Sequence, residues 1–207
     1  DTNRDRVVPV FTREDLAAAL EQEKVAGVLT VEGGEALEGS LEVLQMLHRL
    51  GARGLTLTWN YRNELGDGVA EADTHGGLTR FGKAVVREMN RLGMLVDVAH
   101  LAPAGFWDVL DISSAPVIAS HCNSYSVCRH RRNLTDDQVR AIAATGGVIG
   151  VTFVPAFVCS EQPSLDRLLD HIDHLVEVGG IDCVGIGSDF EGFDGVLPGL
   201  EDVTRLP

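Results

Sequence analysis

The chain has 207 residues, of which 44% are apolar, 23% are charged and 5% are aromatic, and its formal net charge at pH 7 is −14. This length and composition predict one globular domain over residues 1–207 and argue against a disordered chain. The negative charge opposes phosphate backbones and anionic lipid, so the sequence predicts no nucleic-acid partner and no membrane-surface role.

Six short runs rich in Val, Ile and Leu predict buried parallel strands, because strands covered on both faces read as near-continuous apolar runs. In chain order these runs are 25–31, 54–58, 94–98, 116–120, 147–153 and 183–187. Periodic segments between them predict helices over 36–50, 78–92, 103–111, 136–144 and 164–178. Capping patterns at Thr12 and Thr135 predict the start of an earlier helix and of the fourth of these helices. The alternation predicts a single α/β unit of successive βα modules.

The four cysteines show no CxxC spacing, which favours buried thiols in a reducing compartment and hence a cytoplasmic location. The longest uncharged run, 141–160, contains three glycines and a proline, and it is more typical of a strand and a loop than of a membrane span. No signal peptide is visible. The first residue is Asp1 rather than Met, so the native N-terminus and the localisation stay open.

Two architectures fit the alternation: an open doubly wound sheet and a (β/α)8 TIM barrel. Four residues that can bind a metal or transfer a proton follow four different predicted strands: Glu32, His100, His121 and Asp189. In a barrel the carboxyl ends of the strands surround one site, whereas residues on the first, third, fourth and sixth strands of an open sheet converge less readily. No GxGxxG or P-loop follows the first strand. The placement favours a barrel, and mixed imidazole and carboxylate donors favour zinc.

Each of these residues alone also has an ordinary structural explanation. Glu32 could occupy a turn before two glycines, either histidine could be a satisfied core residue, and Asp189 could cap the next segment. Joint placement at four strand ends favours a site. His171 and His174 are three apart on a predicted helix. We expect both at the solvated surface, because His171 lies at the edge of the apolar stripe and His174 lies opposite it.

Six segments resemble the membrane (renal) dipeptidase family, the M19 metallopeptidases. They are VEGG (31–34), LTLTWN (55–60), LGMLVDVAH (92–100), PVIASH (116–121), RRNLTDD (131–137) and GIGSDFEG (185–192), and they follow the order expected of the family. The resemblance covers nearly the whole chain from about Ala26 onward. It implies a (β/α)8 barrel metallohydrolase that holds two Zn²⁺ per complete enzyme and hydrolyses dipeptides through a metal-bridging hydroxide.

The resemblance also implies roles for individual residues. Glu32 matches the carboxylate that bridges the two zinc ions, and His100 and His121 match the ligands of one of them. Asp189 matches the acidic residue beside the bridging water. The bridging water would lose its proton to Asp189, which would then protonate the leaving amine.

Two further residues are expected at the substrate. Arg132 matches an arginine that binds substrate, and a guanidinium fork suits the dipeptide carboxylate. Without the resemblance, Arg132 reads as surface charge beside Arg129 and Arg131. Trp59 stands where animal members have a histidine that contacts the scissile carbonyl. Because indole cannot titrate, an apolar wall of the pocket is the favoured role of Trp59.

One expected part of the family pattern is missing. Family members carry an HxD pair on the first barrel strand, which supplies ligands to the other zinc, but nothing before Val25 looks like that strand. Six predicted strands, where a complete barrel of about 250 residues has eight, indicate an incomplete barrel. We therefore expect a fragment of about six βα modules that holds at most one zinc well.

Three functions stay open at this point. The first is a zinc-dependent dipeptidase, including one for substrates with a D-configured C-terminal residue. The second is a related metal-dependent amidohydrolase or lactonase. The third is an inactive truncated homologue that acts as a binding protein, which the missing HxD pair supports. The resemblance further implies a homodimer and places Cys128 and Cys159 near a disulfide of animal members, although free thiols are favoured in a cytosolic protein.

Overall fold

The computed structural model describes residue 3 and residues 5–206 as short parallel strands that alternate with helices. The strands are β1 (Val7–Pro9), β2 (Val25–Gly27), β3 (Leu29–Glu32), β4 (Ala52–Thr56), β5 (Leu95–Asp97), β6 (Val117–Ile118), β7 (Ile149–Val151) and β8 (Val184–Ile186). The helices are α1 (Arg13–Glu21), α2 (Leu41–Arg49), α3 (Arg80–Leu92), α4 (Pro103–Ile112), α5 (Asp136–Ala144), α6 (Pro155–Val158) and α7 (Leu165–Gly179). The predicted α/β class is confirmed.

The strands pair in chain order. β1 pairs with β2, β3 to β6 form a continuous sheet, and β7 pairs with β8, every pair being parallel. A parallel bridge between Ala119 and Ile149 joins the row at β6 to β7. β2 and β3 are two pieces of one predicted strand, separated at Val28. Successive neighbours without a reversal of order are typical of a βα barrel, and the described part of the chain is an incomplete (β/α)8 barrel.

Each of the six predicted runs overlaps a strand, but β1 was missed. It has three residues and ends in Pro9, so it is too short to show a period. The predicted count of six strands was therefore one too low, while β1 carries no HxD pair and so does not look like the first strand of the family. The helix predicted over 36–50 begins only at Leu41, because Glu38 and Gly39 adopt positive φ and Ser40 caps the helix by accepting from the Val43 N–H. Both predicted capping boxes, at Thr12 and Thr135, are present.

The strands separate an apolar layer from a polar one. Leu55 of β4 and Val96 of β5 are fully buried in the core, and they pair with each other in the sheet. The next residues along the two strands, Thr56 and Asp97, also pair and point to the opposite face, because side chains alternate along a strand. The apolar face packs against the helices, while the other face carries polar side chains toward the strand ends.

His171 corrects an expectation about the surface. Its side chain is fully buried, on the same face of α7 as Leu168 and Leu175. The Ser124 backbone N–H donates to His171 Nδ1 at 3.0 Å, and His171 Nε2 lies 2.9 Å from the Val158 carbonyl oxygen, to which it donates. The buried stripe of α7 is centred on 168, 171 and 175, so placing His171 at the edge of that stripe was the error.

Two neighbours of His171 on α7, Asp173 and His174, bear on the other expectations for this helix. His174 is partly exposed and lies 2.9 Å from Asp136 Oδ1, so the surface expectation holds for it only in part. His171 and Asp173 also form an HxD sequence, but on a helix. Residues two apart on a helix do not face the same side, so this pair does not replace the strand-borne pair of the family.

Candidate metal centre

Three of the predicted site residues meet at the carboxyl ends of their strands. Glu32 is the last residue of β3, His100 lies three residues beyond β5, and His121 lies three residues beyond β6. His100 Nε2 is 3.0 Å from Glu32 Oε1 and 2.8 Å from His121 Nε2, and His121 Nε2 is 3.4 Å from Glu32 Oε1. One ligand atom from each residue falls within 4.8 Å of the others. The structure thus brings together side chains that are far apart in sequence.

Two glycines fix the chain beyond Glu32. Gly33 has φ +93°, a conformation that glycine adopts without strain. Gly34 donates its N–H to the Leu57 carbonyl oxygen at 3.1 Å, and a Cβ on Gly34 would lie 2.6 Å from that oxygen. Glu32 does precede a turn, as the ordinary explanation supposed, but the turn also leaves its carboxylate beside the two imidazoles.

The surroundings of the imidazoles favour their neutral form. Burial lowers the pKa of His100, against the neighbouring carboxylate of Glu32, which raises it. Burial likewise lowers the pKa of His121, and the nearby charges of Arg132 and His100 lower it further. The adjoining imidazole of His100 lowers the pKa of Glu32 and favours its carboxylate. Neutral imidazole and ionised carboxylate are the forms that bind metals.

The hydrogen bonds on the far side of each ring show that this donor set fits a divalent cation. His100 Nδ1 is 2.9 Å from Asn60 Oδ1, and His121 Nδ1 is 2.8 Å from Ser120 Oγ. When both Nδ1 atoms donate to these oxygens, both Nε2 lone pairs face each other and the Glu32 carboxylate. Three acceptors in such close contact repel one another unless a cation lies among them. Two imidazole nitrogens and a carboxylate oxygen suit zinc or another borderline divalent metal.

Asp189 lies beside this cluster rather than within it. It follows β8 by three residues and lines a cavity of about 130 Å³ together with Glu32 and His100. Burial raises the pKa of Asp189, and the charge of Glu32 raises it further, while His121 lowers it. Both Asp189 and His100 have positive φ, which is uncommon outside glycine and concentrates at functional sites. A partly buried carboxyl with a raised pKa can accept and return a proton.

Arg132 is not surface charge. Its side chain is only 8% exposed, its Nη2 donates to the His121 carbonyl oxygen at 3.4 Å, and its guanidinium lies 5.0 Å from the ring centroid of Phe157. Its buried Nε has no hydrogen-bond partner among the described residues. Because Arg132 lines the same cavity as Asp189, it places a positive charge there.

Aromatic and aliphatic side chains form the walls of this cavity. Trp59 is half-exposed, with its ring centroid 6.0 Å from that of His100. Val154, Phe157 and Phe193 line the cavity as well. Trp59 therefore lies where an apolar wall was expected, and its part in substrate binding stays a prediction.

Three polar residues of this region were missed by sequence reasoning: Asn60, Asp97 and Ser120. Asn60 ended the LTLTWN segment, and Ser120 directly preceded His121. Asp97 left the clearest signal, because it is a carboxylate inside an otherwise apolar strand run. A polar residue in such a run needs hydrogen-bond partners when the strand is buried.

The cysteines contribute no ligand to this cluster. All four are unbridged in the structure, including Cys128 and Cys159. Cys122, which follows His121, is buried, and burial raises the pKa of its thiol to about 12. A thiol with such a pKa stays protonated at neutral pH and is a poor metal ligand.

The sequence matches the family described as membrane dipeptidase, peptidase family M19, over residues 1–207. The chain belongs to the membrane dipeptidase family. It is 39% identical over 204 residues to the dipeptidase verJ of Clonostachys rogersoniana, a match that covers 98% of this chain and 53% of that protein. Family M19 includes a solved metallo peptidase, so metal dependence is a family property that the three-ligand cluster fits.

Two solved structures share the fold of this membrane dipeptidase family chain. A metallo peptidase from Rhodobacter sphaeroides, liganded with a phosphinate mimic of the dipeptide L-Ala-D-Ala, has a TM-score of 0.92 and 35% identity over 99% of this chain and 61% of that chain. An amidohydrolase from Pseudomonas aeruginosa has a TM-score of 0.82 and 30% identity over 90% of this chain and 57% of that chain. The chain thus spans between half and two thirds of the length of these relatives.

Although the family name contains the word membrane, no helix among the described residues is both long enough and apolar enough to cross one.

Replacing Asn60 with Leu is expected to weaken zinc binding about tenfold, because an outer hydrogen bond that orients a histidine ligand typically contributes 10- to 100-fold in affinity. Asn60→Asp keeps an oxygen 2.9 Å from His100 Nδ1 and is expected to bind zinc at least as well as the wild type. Competition with a chromophoric chelator measures both affinities. Equal binding by Asn60→Leu and the wild type would show that His100 needs no such partner.

Proposed function

We propose that the protein is a metal-dependent dipeptidase that hydrolyses the peptide bond of dipeptides. The observation that carries this proposal is the approach of Glu32, His100 and His121 to within 3.4 Å of one another at the strand ends of a membrane dipeptidase family chain. In TIM-barrel enzymes that end of the barrel holds the catalytic residues.

We assign the metal as zinc, with two ions in the complete enzyme. His100 and His121 would hold one ion, and Glu32 would bridge it to the second. When bound, such a metal lowers the pKa of a coordinated water and polarises a carbonyl oxygen. The cluster of described residues provides donors for one ion, so the second ion needs donors that this cluster does not include.

Asp189 and Arg132 perform the steps that belong to the protein itself. Asp189 takes a proton from the attacking water and gives it to the leaving amine, a role that its raised pKa supports. Arg132 pairs with the C-terminal carboxylate of the dipeptide through its guanidinium. Because this charge is buried beside the candidate centre, a substrate carboxylate must lie close to the scissile bond. The arrangement therefore favours dipeptides over longer peptides.

The substrate class includes dipeptides with a D-configured C-terminal residue. The Rhodobacter sphaeroides relative was solved with a mimic of L-Ala-D-Ala, and its match covers 99% of this chain. The cavity of about 130 Å³, with Trp59 and Phe157 in its walls, suits small side chains. A second candidate is hydrolysis of another amide or a lactone, which the similarity to an amidohydrolase favours.

The test is hydrolysis by metal-depleted full-length protein before and after addition of zinc. L-Ala-L-Ala, L-Ala-D-Ala and a lactone are the substrates, and amine release or ring opening is the measurement. We expect zinc to restore dipeptide hydrolysis and His121→Asn to abolish it. His75→Asn is the matched control, because His75 lies in an exposed loop at φ +53°, which asparagine tolerates.

Two other results would contradict the proposal. Turnover of the lactone alone would favour the second candidate. Absence of all turnover in a folded, zinc-loaded protein would favour an inactive homologue that acts as a binding protein.

The proposal has three further parts. They are a single domain over residues 1–207, a cytoplasmic location and a homodimer. The net charge of −14 opposes binding of the protein to anionic surfaces. The homodimer rests on resemblance to the family alone.

A further inference from the structure

Asp97 is a buried carboxylate that the proposed reaction does not use. It ends β5, and its side chain accepts four hydrogen bonds. Its Oδ1 accepts from the backbone N–H groups of Ala99 and Ser120, each at 3.0 Å. Its Oδ2 accepts from the hydroxyls of Thr56 at 2.6 Å and Ser120 at 2.5 Å. The two backbone partners can only donate, so Oδ1 must be an acceptor.

Ser120 joins this carboxylate to a proposed metal ligand. Its Oγ lies 2.8 Å from His121 Nδ1 as well as 2.5 Å from Asp97 Oδ2. A hydroxyl has a single proton, and an ionised carboxylate cannot supply one. The Ser120 proton therefore goes to Asp97, and the Ser120 oxygen accepts from the Nδ1–H of His121. This leaves the Nε2 lone pair of His121 directed at Glu32 and His100.

We propose that Asp97 is a positioning residue that acts through Ser120 to hold His121 in the tautomer whose Nε2 binds the metal. The inference rests on the proposed function only in taking His121 as a metal ligand. The direction of two hydrogen bonds carries it: Asp97 orients the Ser120 hydroxyl, and that hydroxyl determines which His121 nitrogen has the proton. Histidine ligands commonly depend on such outer partners.

The variant Asp97→Asn reverses this chain of hydrogen bonds with little change in shape. The carboxamide oxygen must stay on the N–H groups of Ala99 and Ser120, because those groups can only donate. The carboxamide NH₂ then faces the Ser120 hydroxyl, which becomes an acceptor on that side and donates to His121 Nδ1. The His121 proton moves to Nε2, where it blocks the metal.

The first experiment observes the tautomer directly in the metal-free, full-length protein. Selective ¹⁵N labelling of histidine and long-range ¹H–¹⁵N correlation distinguish Nδ1–H from Nε2–H. We expect Nδ1–H at His121 in the wild type and Nε2–H in Asp97→Asn. The same tautomer in both proteins, with the fold intact, would overturn the proposal.

The second experiment measures zinc affinity by chelator competition. We expect about a tenfold loss in Ser120→Ala and about a hundredfold loss in Asp97→Asn, the range typical of outer-sphere partners. Adding Asp97→Asn to Ser120→Ala should cost little more than Ser120→Ala alone, because the hydroxyl that transmits the effect is gone. Ser120→Thr keeps the hydroxyl and should restore most of the affinity.

Thr56→Val is the matched control, since it removes the other hydroxyl on Asp97 Oδ2 but leaves the Ser120–His121 contact. It should lower the melting temperature without lowering zinc affinity, whereas equal losses in Thr56→Val and Ser120→Ala would reduce Asp97 to a structural role. If Asp97→Asn does not fold, the difference between Ser120→Ala and Thr56→Val decides the question. A shifted tautomer in a protein that cleaves no dipeptide would refute the proposed function and leave this inference standing.

Discussion

Replacement of Asp189 by Asn in the full-length protein is expected to lower kcat for dipeptide hydrolysis by about 10²- to 10⁴-fold, the usual contribution of a positioned general acid–base group. Asparagine keeps the shape of the side chain but cannot take up the proton of the attacking water. Zinc binding by His100 and His121 should persist, because Asp189 lies outside the three-ligand cluster. Steady-state kinetics and metal analysis on the same preparation measure the two effects separately.

The pH dependence of the same variant sharpens this prediction. Burial and the charge of Glu32 raise the pKa of Asp189, so kcat/KM of the wild type should fall as the pH drops through that raised value and the base becomes protonated. Asp189→Asn should lose this acid limb together with its activity. Asp194→Asn, an exposed carboxyl in the same segment, is the control and should retain both. Unchanged turnover, or loss of zinc along with turnover, would contradict the assigned role.

The position of the candidate centre could be predicted because it follows from strand ends. Glu32, His100, His121 and Asp189 each come within two residues of the end of an apolar run, and in a barrel such ends converge whatever the details of packing. A strand needs only a short apolar run to be recognised. The same rule missed β1, because Pro9 interrupts the apolar stretch 7–11 and a proline within a run argues against a buried strand.

The hydrogen bonds around the centre could not be predicted in the same way. Thr56 and Asp97 are 41 residues apart, and they meet only because β4 and β5 pair in that register. A shift of one residue would turn Asp97 to the opposite face. The burial of Arg132 likewise could not be predicted, because it depends on the packing of its guanidinium against the distant Phe157 ring. Register and packing between distant elements therefore decide which polar residues support the site.

Replacing His171 with Leu is expected to lower the free energy of unfolding by about 3 kcal/mol, because each buried group left without its partner costs about 1–3 kcal/mol. The Ser124 N–H and the Val158 carbonyl oxygen would both lose their hydrogen bonds to His171. His171→Asn can keep an acceptor near the Ser124 N–H, and His171→Gln can keep a donor near the Val158 oxygen, so each should recover part of the loss. Urea unfolding of the four proteins measures these differences, and a loss below about 1 kcal/mol for Leu would contradict them.

The pH dependence of unfolding separates His171 from a merely bulky core residue. Burial lowers the pKa of His171, against the Val158 hydrogen bond that raises it, while Asp170 and His174 act on it with opposite signs. In the unfolded chain this histidine takes up a proton near pH 6.5, so its contribution to stability is complete above that pH and is lost as the pH falls toward the lower folded pKa. The stability difference between the wild type and His171→Leu should therefore shrink between pH 7.5 and pH 5.5. His174→Gln, at a partly exposed position, should change stability by less than about 1 kcal/mol at pH 7.5. A difference for His171→Leu that stays constant with pH would mean that the imidazole matters only as volume.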